Sequence, residues 1–302
     1  MLLLPLLAVG CTTTPAPPPT PTPSEATPAK PEAAEPPPAR LDPGDLDRSG
    51  PPRLAYVRGH LLHRPDGSEL TVRLGLRGPW GISSVVPVRD GYLVTDDRWF
   101  EGSVGMHRID DDGDVVASWT STGPALSSPT GKVAWVSVVP PESGETGATV
   151  LHSEVTTQRL PRLVWPVLSR HDDSVVTFTA LRREGTTWRR RGFASDLRRP
   201  PHRVPTPSGR TRSPDGRHWW VLRRHRLVIG GAEGEVELRS RPFVQAFGRP
   251  AWEDDEHLLV TLTQRRHQAI ARIDLDGTVT LASGWSPFAN AGYAFVERPV
   301  SG

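Results

Sequence analysis

The chain has 302 residues, among them 33 Pro and 28 Gly, a turn-rich composition that suits many short strands and leaves room for few helices. A single cysteine, Cys11, excludes an internal disulfide. The formal net charge of +2 carries a strong bias, because only Lys30 and Lys132 are lysines and the remaining cations are arginine, the side chain that grips planar anions with a rigid fork; a GC-rich genome would supply the same bias.

Met1 to Gly10 is almost wholly apolar, yet ten residues rise only about 15 Å as a helix and cannot span a bilayer core of about 30 Å. They read as the hydrophobic part of a signal peptide. Ala8-Val9-Gly10-Cys11 resembles a bacterial lipobox, which implies that Cys11 is lipidated and becomes the mature N-terminus. Nothing basic precedes Leu2, so a short basic segment is expected upstream of Met1. Thr12, where an Asp would signal retention at the inner membrane, resembles the pattern of outer-membrane sorting in a Gram-negative host.

Residues 11–52 are dominated by Pro, Ala, Thr and Glu, too poor in large apolar side chains to offset their ordering entropy. The expectation is a disordered, polyproline-like tether reaching up to roughly 100 Å from its anchor. A proline-rich recognition peptide is the other reading of this composition.

From about residue 60 onward two kinds of turn signal alternate. Asp90-Gly91, Ser128-Pro129-Thr130-Gly131, Asp172-Asp173, Ser213-Pro214-Asp215-Gly216, Asp254-Asp255 and Ser286-Pro287 each precede an apolar run. Between them fall Pro65-Asp66-Gly67, Asp112-Gly113, Thr156-Thr157, Ser195-Asp196, Glu233-Gly234 and Asp276-Gly277. Gly67 and Gly277 are 210 positions apart in five steps, about 42 residues per step, the period of a propeller blade. Residues 53–302 are therefore expected to be all-β: a six-bladed β-propeller of four-stranded antiparallel blades. In the last complete repeat Gln245–Trp252, His257–Thr263, Gln268–Asp274 and Thr278–Leu281 read as the four strands, with Leu258, Val260 and Leu262 on one face and Leu259, Thr261 and Thr263 on the other. Because the repeats are out of phase with the chain ends, the C-terminal segment should supply inner strand(s) to a blade whose outer strands begin near Arg53, which removes open sheet edges. Both Leu54–Val57 and Tyr293–Val296 fit the second strand of that blade. Trp80, Trp165 and Trp252, spaced by 85 and 87 positions, are expected in the core.

Ser213-Pro214-Asp215-Gly216-Arg217 and the run Ile270 to Gly277 resemble the repeats of TolB-type six-bladed propellers. That resemblance implies an extracytoplasmic protein acting through protein contacts, with ligands meeting the mouth of the central channel. The extra N-terminal domain that TolB itself carries is not expected in this chain, nor therefore a role in the Tol system.

Chemistry-bearing motifs are few. Asp110-Asp111-Asp112-Gly113-Asp114 lacks the spacing of an EF-type calcium loop and reads as an exposed acidic hairpin. The ten histidines show no zinc spacing, and no nucleophile elbow or Ser-x-x-Lys pair is present. No cofactor or catalytic residue is expected. The most uneven charge lies between Arg182 and Arg226, where Arg182, Arg183, Arg189, Arg190, Arg191, Arg223 and Arg224 are the candidate contacts for an anionic partner. An envelope protein or anionic polymer fits such a sector in a monomer held at the membrane by lipid on Cys11, and nucleic acid does not. A metal-dependent propeller hydrolase or lactonase with a site in the channel is the alternative, against which stands the presence of a single asparagine, Asn290.

Overall fold

The computed structural model describes residues 39–41, 46–75, 81–96, 98, 103–139, 148–206, 209–223, 226–240, 244–287 and 293–296, all within the unit Pro38–Gly302. Cys11, Trp80, Arg224 and Asn290 lie outside the described residues. After a short strand β1 (Ala39–Leu41), the first blade contributes β2 (Tyr56–Arg58), β3 (Leu61–His63) and β4 (Glu69–Thr71). The second blade is β5 (Ile82–Val88), β6 (Gly91–Asp96), β7 (Val104–Ile109) and β8 (Val115–Ser121), and the third is β9 (Leu126–Ser127), β10 (Val133–Val139), β11 (Ala148–Ser153) and β12 (Thr157–Arg159). The fourth holds the long strands β13 (Leu163–His171), β14 (Val176–Glu184) and β15 (Thr187–Ser195), with β16 (His202–Val204). The fifth is β17 (Thr211–Arg212), β18 (Trp219–Arg223), β19 (Arg226–Gly231) and β20 (Gly234–Ser240). The sixth is β21 (Val244–Trp252), β22 (His257–Gln264), β23 (His267–Asp274) and β24 (Val279–Leu281), followed by β25 (Ser286–Pro287) and β26 (Tyr293–Phe295).

Each blade is an antiparallel meander, and the set forms a six-bladed propeller. The ring closes as one strand plus three: β26 pairs with β2 through Tyr56↔Phe295 and Arg58↔Tyr293. Tyr293–Phe295 is thus the inner strand and Tyr56–Arg58 the second, which resolves the two candidates of the sequence.

Five of the six turn signals of the first kind join a blade's first and second strands, and those of the second kind join the third to the fourth. Ser286-Pro287 differs. It pairs with the start of β23, Pro287 opposite His267, on the crossover to the closing strand, because Ser-Pro stiffens a crossover as readily as it opens a turn.

Alternation in β22 divides as its pattern predicts. Leu258, Val260 and Leu262 pack with Trp220, Ile229 and Leu238 of the fifth blade, whereas Leu259 joins Ile270, Tyr293 and Phe295 on the side of the first. Burial of both faces of a strand between neighbouring blades is what holds the ring. Trp252 is in the core, but Trp165 is 73% exposed. It sits with φ of 48° in a bulge between Val164 and Val167 of β13, which turns its ring outward while Leu163 and Pro166 take the buried positions.

Part of the stretch that composition assigns to the tether is paired with the propeller. Ala39–Leu41 runs parallel to the outer edge of β20, Ala39 opposite Leu238. Further on, Arg48 bridges Leu281 of β24, the Leu281 amide donates to the Asp47 carbonyl at 2.7 Å, and the Ser49 amide donates to the Leu281 carbonyl at 2.8 Å. Edge strands offer unpaired backbone groups to any extended segment, so a short run needs no apolar pattern to dock there.

Candidate functional site

The arginine sector falls on the hairpin β14–β15 and on the neighbouring end of β18. Antiparallel register pairs Leu181 with Arg190, Arg182 with Arg189, and Arg183 with Trp188. Near its base the hairpin alternates in burial as an interior strand should, with Val176, Phe178 and Ala180 buried beside Leu151 and Val136 of the third blade. Toward the tip that pattern stops: six consecutive residues, Gly185 to Arg190, are all exposed, against three, Arg265 to His267, at the equivalent turn of the sixth blade. At its tip the hairpin is thus solvated on both faces. Gly185, with φ of 62°, makes the reversal at no steric cost.

Like charges set directly across a strand pair repel, and Arg182 opposite Arg189 is such a pair. Glu184 compensates. Its carboxylate accepts from Arg191 Nη2 at 2.9 Å and Nε at 3.2 Å, from Arg203 Nη2, and lies 3.9 Å from Arg189 Nε. Hydrogen bonding from Arg191, with that from Arg203, outweighs desolvation and lowers the Glu184 carboxyl to about 2. Arg190 Nη1 donates to Thr179 Oγ1 at 3.1 Å and Arg183 Nε to the Gly185 carbonyl at 3.1 Å. In the next blade Arg223 stands opposite Arg226, and Arg226 opposite Arg239, with Glu237 accepting from Arg239 at 2.7 Å and 3.3 Å from Arg226. The structure therefore gathers Arg182, Arg189 and Arg191 on the face that looks toward the third blade, and Arg183 and Arg190 on the other with Trp188. Arg223 is on the adjacent blade.

Two constellations were not legible as motifs. His107 on β7 lies between Asp96 on β6 and Ser118 on β8: its Nε2 is 3.3 Å from Asp96 Oδ2 and its Nδ1 2.9 Å from Ser118 Oγ. Asp96 is buried. Burial would raise its pKa, but hydrogen bonds from Arg98 Nε and Nη2 at 2.9 and 2.7 Å, with those from His107 and the Gly105 amide, hold it below the usual carboxylate range. A Cβ at Gly105 would collide with the Asp96 carboxylate and the His107 ring, so the glycine makes room for the cluster. Asp96, His107 and Ser118 recur every 11 residues, a spacing that on a meander of this length marks neighbours on one face. The arrangement resembles a nucleophile–base–acid relay, but the double claim of Arg98 on Asp96 makes it a clasp across three strands.

Glu253, Asp254 and His257 form the group with metal-ligating spacing among the described residues. Glu253 is buried and already neutralised: Arg272 donates to both oxygens through Nε and Nη2, and the Arg53 amide donates to Oε1. Arg272 also donates to the Gly50 and Pro51 carbonyls at 3.2 and 3.1 Å. Asp254 accepts from His257 Nδ1 at 2.7 Å and from Arg53 Nη2 at 2.9 Å. With every carboxylate oxygen engaged by a protein donor, the donor set fits a clamp on the N-terminal segment better than a cation. The acidic hairpin behaves likewise, since Asp110 Oδ1 caps the amides of Asp112 and Asp114, and Arg73 pairs with Asp114 at 2.8 Å.

No family model and no curated protein matches the sequence. In fold the chain is similar to the solved structure of TolB from Acinetobacter baumannii, with a TM-score of 0.50 at 13% identity over 81% of this chain, and it spans 66% of that protein's length. TolB from Agrobacterium tumefaciens aligns at 14% identity with a TM-score of 0.43, over 79% of this chain and 92% of that one. The propeller domain of the Trilobed protease from Pyrococcus furiosus aligns at 9% identity with a TM-score of 0.41, over 74% of this chain and 73% of that one. At such identity the likeness is one of fold.

Proposed function

We propose that this chain is a lipid-anchored, extracytoplasmic propeller that binds an anionic partner of the cell envelope without catalysing a reaction. The observation that supports the reading most directly is the exposed hairpin, with five arginines against one carboxylate between Arg182 and Arg191. Solvated on both sides and paired in part with Glu184, it presents a cationic surface, which favours capture and orientation of an anion over chemistry. Anchoring rests on Cys11 and the apolar run before it.

The test is crosslinking and affinity capture of the full-length protein in cells, compared with Cys11→Ser and with Arg189, Arg190 and Arg191 all changed to Ser. One dominant envelope protein or polymer is expected, reduced in both variants. Capture unaffected by the arginine changes would remove the sector from the function.

A further inference from the structure

The geometry points to an anionic phospholipid surface as the occupant of the β14–β15 hairpin, with the arginines on headgroup phosphates and Trp188 at the interface between headgroups and acyl chains. This deepens the reading above and rests on it. Three observations converge. First, the tip-side half of the hairpin carries net positive charge on both faces: Arg182 and Arg189 on one side, Arg183 and Arg190 on the other, with the single local carboxylate, Glu184, shared by Arg191, Arg203 and, at 3.9 Å, Arg189. A protein partner with a defined concave site would engage one face, whereas a layer of phosphates serves both.

Second, large apolar side chains stand exposed among these arginines. Trp188 is 49% exposed directly across from Arg183. Trp165 and Val167 are exposed on β13, the innermost strand of the same blade, where the bulge faces the middle of β14, between Thr179 and Leu181. Tryptophan beside arginine is the pairing that bilayer interfaces favour, since the indole has both an apolar body and a polar N–H. A soluble anionic polymer would give the charges a partner but leave these rings wet. Third, the strained φ of Trp165 is a local cost that turns a bulky ring outward, and such costs concentrate where a surface is used.

Vesicle sedimentation tests the inference on the full chain carrying Cys11→Ser, which blocks acylation. Vesicles of phosphatidylcholine with about one-quarter phosphatidylglycerol are compared with pure phosphatidylcholine, each arginine at an anionic surface being worth about five-fold in binding. Partition onto the anionic vesicles should exceed that onto neutral ones by at least about ten-fold and fall with added salt. Arg190→Ser and Trp188→Ser should each weaken it several-fold. Arg217→Ser removes the same charge from the turn before β18, at the opposite end of the strands, and should leave it unchanged. Equal partition onto both vesicles, or full binding by Trp188→Ser, would overturn the lipid assignment. Soluble polyphosphate separates the two readings: polymer bound through Arg189–Arg191 without vesicle binding would sink the lipid surface and keep the anionic scaffold, and failure of both probes would sink both.

Discussion

At the scale of single residues, Gly105 and Arg272 show how little freedom the buried polar groups have. Gly105→Ala must displace either the Asp96 carboxylate or the His107 ring, neither of which is the free end of a flexible chain. A loss of about 2 kcal/mol or more in chemical denaturation is expected. Asp96→Asn should cost a similar amount and alter the pH profile in a defined direction. Because the folded-state pKa of Asp96 is depressed, its contribution is present above the ordinary carboxylate range and is lost as pH falls through the lower folded value; the variant should show a flatter acid limb. Arg272→Ala strands a buried Glu253 and should cost about 3–5 kcal/mol, with Lys a poor substitute for the two-pronged contact. Burial raises the Glu253 pKa, but Arg272 and the Arg53 amide more than reverse it, so acidification should weaken this clamp too. EDTA should leave the melting temperature unchanged, since the carboxylates at Glu253 and Asp254 already have guanidinium partners. A drop of several degrees on chelation would restore the metal-dependent reading.

At the scale of elements, the backbone ladder of the arginine hairpin holds like charges in register, and one carboxylate offsets part of their repulsion. Glu184→Gln should leave the fold intact and raise affinity for anionic vesicles about five-fold, by one unit of charge near the surface, as measured in the same sedimentation assay. With its carboxyl lowered to about 2, wild-type Glu184 stays ionised at pH 4, so its pairing, present above the ordinary Glu range, persists until pH approaches that value. Turn chemistry made the strands of this molecule legible: Asp-Gly and Ser-Pro-x-Gly fix local backbone angles wherever they fall, and β21–β24 lie within a residue of their sequence-based limits. The charge of the hairpin was legible in the same way, its exposure on both faces was not, because burial depends on what packs against each strand in the fold. Trp165 shows the limit of periodicity, for a repeat spacing cannot register the bulge that turns one ring outward. Asp96, His107 and Ser118 escaped notice because their relation runs across three strands and only their equal spacing records it.

At the scale of the whole molecule, both ends of the chain serve as fasteners. The N-terminal segment lies along the outer edges of the fifth and sixth blades through β1 and Asp47–Ser49, while β26 closes the first blade from within. The two devices act at different radii and should fail differently. Among the described residues, truncation before residue 46 removes the edge pairing of a short parallel strand, and the ring should still melt as one transition, at a modestly lower temperature. Truncation after residue 292 removes Tyr293, Ala294, Phe295 and Val296, all buried between the first blade and its neighbours, and leaves β2 as a bare edge beside an opened core. That loss combines apolar burial of roughly 1.5–3 kcal/mol for each large side chain with an aggregation-prone strand edge. It should abolish cooperative melting and shift the protein into oligomers on size exclusion. If instead the shorter chain remains a monomer with a single sharp transition, closure by β26 is not what holds the ring.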